Sequence, residues 1–224
     1  MSANEQMAAA ASLGFVPYTR PTGTDTAEPL KIGVLISGSG TNLQALIDLI
    51  AAGKLECQPR SMLEVTGDFG DGISTRYAVN EVVIQRQGAG MISVETYVND
   101  QMVATYHGDG LIVSTPTGST AYSLSVGGPV VAPQCACLVL SPVAPHNLTM
   151  RPVVIPSSSD VRLKVHARHA EISIATDNET CPIPEGAEFR VRLASRRFFL
   201  AVPHNISFYD TLRKKMMWGV DIRS

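Results

Sequence analysis

From Ser61 onward the chain is built of short runs in which apolar and polar residues alternate with a period of two, and this pattern constrains the fold more than any other feature. The runs are Tyr77 to Ile84, Met91 to Val98, Gln101 to Tyr106, Leu111 to Val113, Leu138 to Leu140, Val161 to Val165, Ile172 to Ala175, Phe189 to Leu193 and Phe198 to Val202. A period of two sends successive side chains to opposite faces of a sheet. Turn signals such as Asn99-Asp100, Pro156-Ser-Ser-Ser159 and Glu185-Gly186 separate the runs. Nine short strands spaced in this way predict a mainly β (α+β) sandwich or barrel, not a βαβ sheet. One helical break is predicted near Ser119 to Val126. A second follows Ser207, where Ser207-Phe-Tyr-Asp210 resembles a capping box, Phe208, Leu212 and Met216 share a face, and Gly219 closes the element.

The first quarter of the chain reads differently. Residues 1–30 mix Ala, Thr, Pro and Gly without a period and predict a flexible leader. The run Lys31-Ile-Gly-Val-Leu-Ile-Ser37 has the character of a buried parallel strand, and it breaks at Gly38-Ser39-Gly40-Thr41-Asn42. Leu43, Leu46, Ile47 and Ile50 then recur at helical spacing up to Gly53. A Gly-rich turn before a helix presents free N–H groups that can hold a phosphate, and it serves equally as a sharp βα turn. One βα unit cannot make a parallel sheet, so this segment looks like the opening of a domain whose remainder is missing.

Eighteen basic against twenty acidic side chains leave a net charge of −2, so no diffuse positive field argues for nucleic acid or an anionic membrane. No apolar run approaches the roughly 18 residues that span a bilayer. Cys57, Cys135, Cys137 and Cys181 form no C-x-x-C and follow no secretory segment, which predicts reduced thiols in a cytoplasmic protein.

The densest chemical signal is the string from Gly108 to Pro129, with Asp109-Gly110, Thr115-Pro-Thr-Gly-Ser-Thr-Ala-Tyr-Ser-Leu-Ser125 and Gly127-Gly128. It reads as a buried strand that passes through a proline and a Gly-Ser turn into a helix whose first turn is rich in hydroxyls. Such a turn offers N–H and O–H donors to a polar ligand, and Tyr122 offers a ring for stacking; hydroxyls at a helix start also act simply as caps. Asn80-Glu81 interrupts an apolar strand, which points one of the two toward the core or a pocket, where it needs a partner. Gly67-Asp-Phe-Gly-Asp-Gly72 is read as a hairpin connection. His166 and His169 fall on opposite faces of a strand, and Cys135 and Cys137 find no further ligand at suitable spacing, so no metal site is assigned. His107 and His204 are the better-placed histidines for ligand contact, against an ordinary surface role.

Asn80-Glu81, the Asp109 to Ser125 string with Gly127-Gly128-Pro129, then Ser141-Pro142-Val-Ala-Pro-His146, Arg151-Pro152 and the closing Phe208-Tyr-Asp-Thr-Leu-Arg together resemble the C-terminal domain of bacterial NAD kinases. The resemblance runs from about Ser61 to Ser224. It implies an NAD-kinase-like β-sandwich with a C-terminal helix and a cytoplasmic homo-oligomer. The implied reaction is ATP- or polyphosphate-dependent phosphorylation of the 2′-hydroxyl of NAD to give NADP, with a divalent metal such as magnesium. Carried over by position, Asn80 and Glu81 bind the ribose and adenine region, Asp109 meets the nicotinamide end, and Thr120, Ala121, Tyr122 and Ser125 line the adenine and nicotinamide pockets. His107 and Ala144 fall at further contact positions, and Asp177-Asn178-Glu179 departs from the family's Asp-Gly-Gln. The family's Gly-Gly-Asp-Gly loop, whose Asp takes the ribose proton, does not precede Asn80, so no catalytic residue is assigned.

Val34-Leu-Ile-Ser-Gly-Ser-Gly-Thr-Asn-Leu-Gln-Ala-Leu-Ile47 resembles instead the first strand, phosphate loop and helix of glycinamide ribonucleotide formyltransferase, with Gly38, Ser39, Gly40, Thr41 and Asn42 as the loop. The expected organisation is a leader (1–30), a βα fragment (31–57), a kinase-like sandwich (60–206) and a terminal helix and tail (207–224). The expectation is a chimera, natural or constructed, with its joint near 57–60. Phe208, Leu212, Met216 and Trp218 are then expected to lack the cover they have in the kinase family. Three functions follow: an NAD kinase, a non-catalytic NAD/NADP-binding module, and a formyltransferase relic.

Overall fold

The computed structural model describes residues 15–18, 30–33, 44–45, 47–49, 52–168, 170–204 and 206–218. The chain divides into two compact units, residues 59–200 and a smaller unit of residues 1–58 with 201–224.

The larger unit contains two six-stranded sheets. Strand β6 (Glu81–Gln87), β9 (Gly110–Ser114), β10 (Cys137–Val143), β11 (Val153–Pro156), β13 (Glu171–Thr176) and β14 (Glu179–Ile183) form one, in the order β11-β10-β9-β6-β13-β14. The other consists of β4 (Leu63–Gly67), β5 (Thr75–Ala78), β7 (Met91–Val98), β8 (Gln101–Gly108), β12 (Val161–Arg168) and β15 (Glu188–Leu193), in the order β5-β4-β15-β12-β7-β8. All neighbours in both sheets are antiparallel. One apolar core holds Ile84, Leu111, Val113 and Ile174 of the first sheet with Leu63, Val94, Leu163 and Phe189 of the second. The sandwich expected from the alternation is therefore present.

The central strands of the first sheet, β6, β9, β10 and β13, are buried on both faces along most of their length. Val82 and Ile84 face the main core, while Val83 joins Ile112, Val143 and Ala175 in a second cluster against which Val126 packs. Double burial explains why β6 and β9 read as continuous apolar runs instead of alternating ones.

Several expectations change. Tyr77 to Ile84 is not one strand: β5 ends at Ala78 and β6 begins at Glu81, with a corner at Val79-Asn80 between them. The helix predicted over Ser119 to Val126 is a 3₁₀ turn, Gly118–Thr120, followed by a four-residue helix, Tyr122–Ser125. Gly67 to Gly72 is the expected hairpin connection. There Asp68 accepts from the Gly70 N–H at 2.8 Å, Asp71 accepts from the Ile73 N–H at 3.0 Å, and Asp71 pairs with Arg76.

In the smaller unit, β1 (Phe15–Tyr18) pairs antiparallel with β2 (Leu30–Gly33). The leader thus contains a strand, and the strand expected at 31–37 has an antiparallel neighbour rather than a parallel one. Residues 44–45 and 47–49 are helical, as predicted. The loop Gly38, Ser39, Gly40, Thr41 and Asn42 lies outside the described residues. Strand β3 (Leu55–Arg60) pairs with β16 (Phe198–Pro203), so the last predicted strand belongs to neither six-stranded sheet. The terminal helix Phe208–Met216 starts at the predicted cap, where Ser207 Oγ accepts from the Asp210 N–H at 3.0 Å. Its end is set by Met217 in the left-handed conformation (φ 53°) rather than by Gly219, which lies outside the described residues. Leu212 is buried, which corrects the expectation that it lacks cover, whereas Tyr209, Met217 and Trp218 are exposed. Among the described residues no helix is long and apolar enough to cross a membrane.

Candidate functional site

The corner between β5 and β6 is held from two sides. The Asp177 carboxylate, on the β13–β14 turn, accepts three consecutive N–H groups: Val79 at 2.7 Å, Asn80 at 2.8 Å and Glu81 at 3.1 Å. Asp177 sits at φ 51°, a left-handed turn conformation that Asp tolerates, and its own N–H donates to the Glu81 carbonyl at 3.0 Å. From the other side the Thr115 N–H donates to the Asn80 carbonyl at 2.9 Å, and the Thr115 hydroxyl donates to the Val79 carbonyl at 2.7 Å.

Gly118 makes this docking feasible. A Cβ there would lie 2.1 Å from the Asn80 carbonyl oxygen and 2.5 Å from its carbon. Only glycine lets the 115–122 segment lie directly on the Asn80 backbone. The segment therefore lies against the corner, with Gly118 on the Asn80 backbone and the Tyr122 N–H toward the Glu81 carboxyl.

The hydroxyls of this segment do not do what the sequence pattern predicts. Neither helix start has a side-chain cap. Ser119 donates to the Pro116 carbonyl at 2.7 Å and accepts from the Val131 N–H at 2.9 Å, and Ser123 meets Ser141 at 2.9 Å. Ser119 and Ser123 are thus internal ties, while Thr120, Tyr122 and Ser125 are exposed. A four-residue helix also offers no useful dipole for an anion; the Tyr122 N–H goes to the Glu81 carboxyl instead.

Glu81 is buried, and its Oε2 has no hydrogen-bond partner. Directly opposite on β9, the fully buried Ser114 Oγ is also unpartnered. Burial, reinforced by the negative Asp177 nearby and opposed by the Tyr122 N–H, pushes the Glu81 carboxyl up to about 7. Buried polar atoms are nearly always paired, so two facing orphans mark a place built to meet a further polar group.

Not every expected contact gathers here. Asp109 sits where β8 gives way to β9, at the other end of β9 from Ser114. That separation is about 17 Å along the chain. Arg86 grips Asp109 bidentately, with Nε to Oδ1 at 2.7 Å and Nη2 to Oδ2 at 3.2 Å. Ala144, at φ 41°, lies by Gly108, whose added Cβ would be 2.8 Å from the Ala144 carbonyl oxygen. His107 is exposed and lines a separate open cavity of about 620 Å³ with Ser93, Glu95, His166 and Glu185. Of the expected residues, Asn80, Glu81 and Tyr122 meet at the corner, Thr120, Ala121 and Ser125 lie on the same 115–125 segment as Tyr122, and His107, Asp109 and Ala144 lie together elsewhere. Arg86 and Gly118 carried no sequence signal of their role. Asp177 did, by standing where the resembled family has Asp-Gly-Gln.

Residues 79–203 match the family model of the ATP-NAD kinase C-terminal domain. The chain belongs to the NAD kinase family. Curated relatives include the NAD kinases of Porphyromonas gingivalis, 39% identical over 86% of this chain and 67% of the relative, and of Bacteroides fragilis, 37% identical over the same shares. The aligned 86% exceeds the stretch from Ser61 to Ser224, so the likeness reaches upstream of Ser61. The fold is similar to the crystal structure of yeast NADH kinase complexed with NADH, with TM-score 0.71 and 22% identity over 81% of this chain and 55% of that one. It is also similar to an NAD kinase from Archaeoglobus fulgidus in complex with ATP, with TM-score 0.60 and 26% identity over 78% of this chain and 65% of that one. The chain thus spans about two thirds of its curated NAD kinase relatives and somewhat less of these structures. Among the described residues no group of three or more His, Cys, Asp or Glu side chains forms a metal site. The Asp177 carboxylate is already taken by three backbone N–H groups and is not free to ligate a magnesium ion.

Proposed function

We propose that the Asn80-Glu81 corner, with Asp177 beneath it and Tyr122 beside it, is a binding site for the adenosine half of NAD or NADP. The observation that carries this reading is the pair of buried, unpartnered oxygens, Glu81 Oε2 and Ser114 Oγ, on cross-strand neighbours, with the exposed Tyr122 bringing its N–H to the Glu81 carboxyl. A ribose supplies hydroxyls that both donate and accept, and the Tyr122 ring supplies a stacking face for a base. Family membership supplies the reaction: the 2′-oxygen attacks the γ-phosphorus of ATP, the bond to ADP breaks, and the 2′-hydroxyl proton leaves.

Within this chain the site residues bind and orient the ribose. Proton removal requires an acidic side chain at the 2′-hydroxyl, and the family's Gly-Gly-Asp-Gly sequence does not occur in these 224 residues. The reading is thus a dinucleotide-binding domain of the NAD kinase family whose catalytic competence depends on that acid. Purified protein with NAD, ATP and magnesium is assayed for NADP against a boiled control, alongside the melting temperature with NAD. A melting rise that Tyr122→Ala removes supports the site; no rise at millimolar NAD refutes it. NADP formation separates the kinase from the binding module.

Three further points belong to the same proposal. The Asp109 cluster, displaced along β9, is offered to a dinucleotide by a second copy, a homo-oligomer testable by light scattering. A reducing, cytoplasmic setting is supported by the free thiols of Cys135, Cys137 and Cys181. For Gly38 to Asn42 the motif alone supports phosphate binding of the formyltransferase type. Glycinamide ribonucleotide binding, blocked by Gly40→Val, tests it.

A further inference from the structure

Asp177 has no role in the contacts inferred above, yet it is the best-tied side chain at the site. Its two carboxylate oxygens take the N–H groups of Val79, Asn80 and Glu81, which are the residues that make the corner. It is also the charged group that faces the Glu81 carboxyl. The other elements packed on Glu81 present uncharged groups, Ser114 from β9 and the N–H of Tyr122.

We propose that Asp177 is a positioning residue of the dinucleotide site, which fixes the Val79–Glu81 backbone and, by its charge, makes Glu81 meet the ligand as a neutral carboxylic acid that donates a hydrogen bond. This rests on the dinucleotide reading of the site. Two carboxyls share one corner, and Asp177 already accepts three N–H groups there. Glu81, with an orphaned oxygen and one N–H, is the member that holds the proton. An incoming dinucleotide adds a negative pyrophosphate, which disfavours a second carboxylate further. Binding therefore retains or takes up a proton at Glu81, and that proton equips Oε2 to donate to a ribose oxygen or a ring nitrogen of the base.

The test is calorimetric titration of the full chain with NAD from about pH 5.5 to about pH 8.5, for wild type, Asp177→Asn and Glu81→Gln. The Glu81 carboxyl is also titrated by carbon NMR without ligand. Wild-type affinity is expected to fall by up to about tenfold per pH unit above about 7. Asp177→Asn is expected to move that midpoint downward, and Glu81→Gln, which keeps the shape and a donor, to bind with a flat profile. A purely structural Asp177 would weaken NAD equally at every pH and leave the midpoint in place; that result overturns the proposal, as does a pH dependence that survives in Glu81→Gln. If Asp177→Asn fails to fold, the wild-type and Glu81→Gln profiles decide. A Glu81 midpoint in the ordinary carboxylate range overturns the Asp177 coupling whatever binds. A midpoint near 7 with no NAD binding at any pH overturns the dinucleotide reading instead.

Discussion

Gly118→Ala is the substitution to which this site should be most sensitive. The added methyl would sit 2.1, 2.5 and 2.8 Å from the oxygen, carbon and Cα of Asn80. All three are backbone atoms, and that backbone is pinned by the Thr115 N–H at 2.9 Å and by Asp177 at 2.8 Å. Relief requires a shift on the order of 1 Å, enough to stretch those bonds past useful length. Overpacking costs about 1–3 kcal/mol, and loss of a hydrogen bond to a charged group adds about 1.5–3 kcal/mol. A loss of about 3 kcal/mol in total corresponds to a fall in melting temperature of roughly 6–12 °C for a chain of this size. Gly127→Ala is the control, since Gly127 has φ 82° but open space around its Cβ, so only backbone strain of about 1 kcal/mol applies. Thermal melts and NAD titrations of both variants give the answer. The reasoning is refuted if Gly118→Ala melts like Gly127→Ala and binds NAD as tightly as wild type.

Other consequences follow from the same contacts. Glu81 holds its proton up to about 7 in the folded chain against 4.5 when unfolded, so the folded state binds more protons between those values and stability should fall as pH rises from about 4.5 through about 7. Urea midpoints across that range should show this slope in wild type and lack it in Glu81→Gln; equal slopes would contradict it. Thr115→Val removes a buried hydroxyl that donates to the Val79 carbonyl and accepts from the Gly118 N–H at 3.1 Å, at a cost of about 1–3 kcal/mol in urea unfolding that Thr115→Ser should largely restore. Ser207→Ala loses the helix cap, about 1 kcal/mol, seen as faster hydrogen exchange over residues 208–216 with no change at the Asn80 corner.

The sandwich was legible because most strands have one buried face, so their sequences alternate. Even β6 and β9, buried on both faces, were recognisable as apolar runs. Asn80-Glu81 was legible as a polar interruption of an apolar run but not as a corner, because the corner is made by Asp177, nearly a hundred residues later in the chain. Hydroxyl density between Thr115 and Ser125 did not reveal which hydroxyls are structural: Ser119 and Ser123 are consumed in holding the loop together, while Thr120, Tyr122 and Ser125 are exposed. The pairing of β16 with β3 was beyond sequence reasoning for the same reason as the corner, since a strand's partner depends on chain that is remote in sequence. The family motif put Asn80 and Glu81 at the ribose and adenine end and Asp109 at the nicotinamide end, and His107, Asp109 and Ala144 lie a strand's length from Glu81.

The central claim is that the orphaned Glu81 oxygen is completed by the adenosine ribose of NAD. A crystal structure of the full chain with NAD tests it most directly. The account predicts a ribose hydroxyl within about 2.6–3.2 Å of Glu81 Oε2, with the Tyr122 ring against the base. NAD bound elsewhere on the chain, with Glu81 Oε2 still unpartnered, would contradict it.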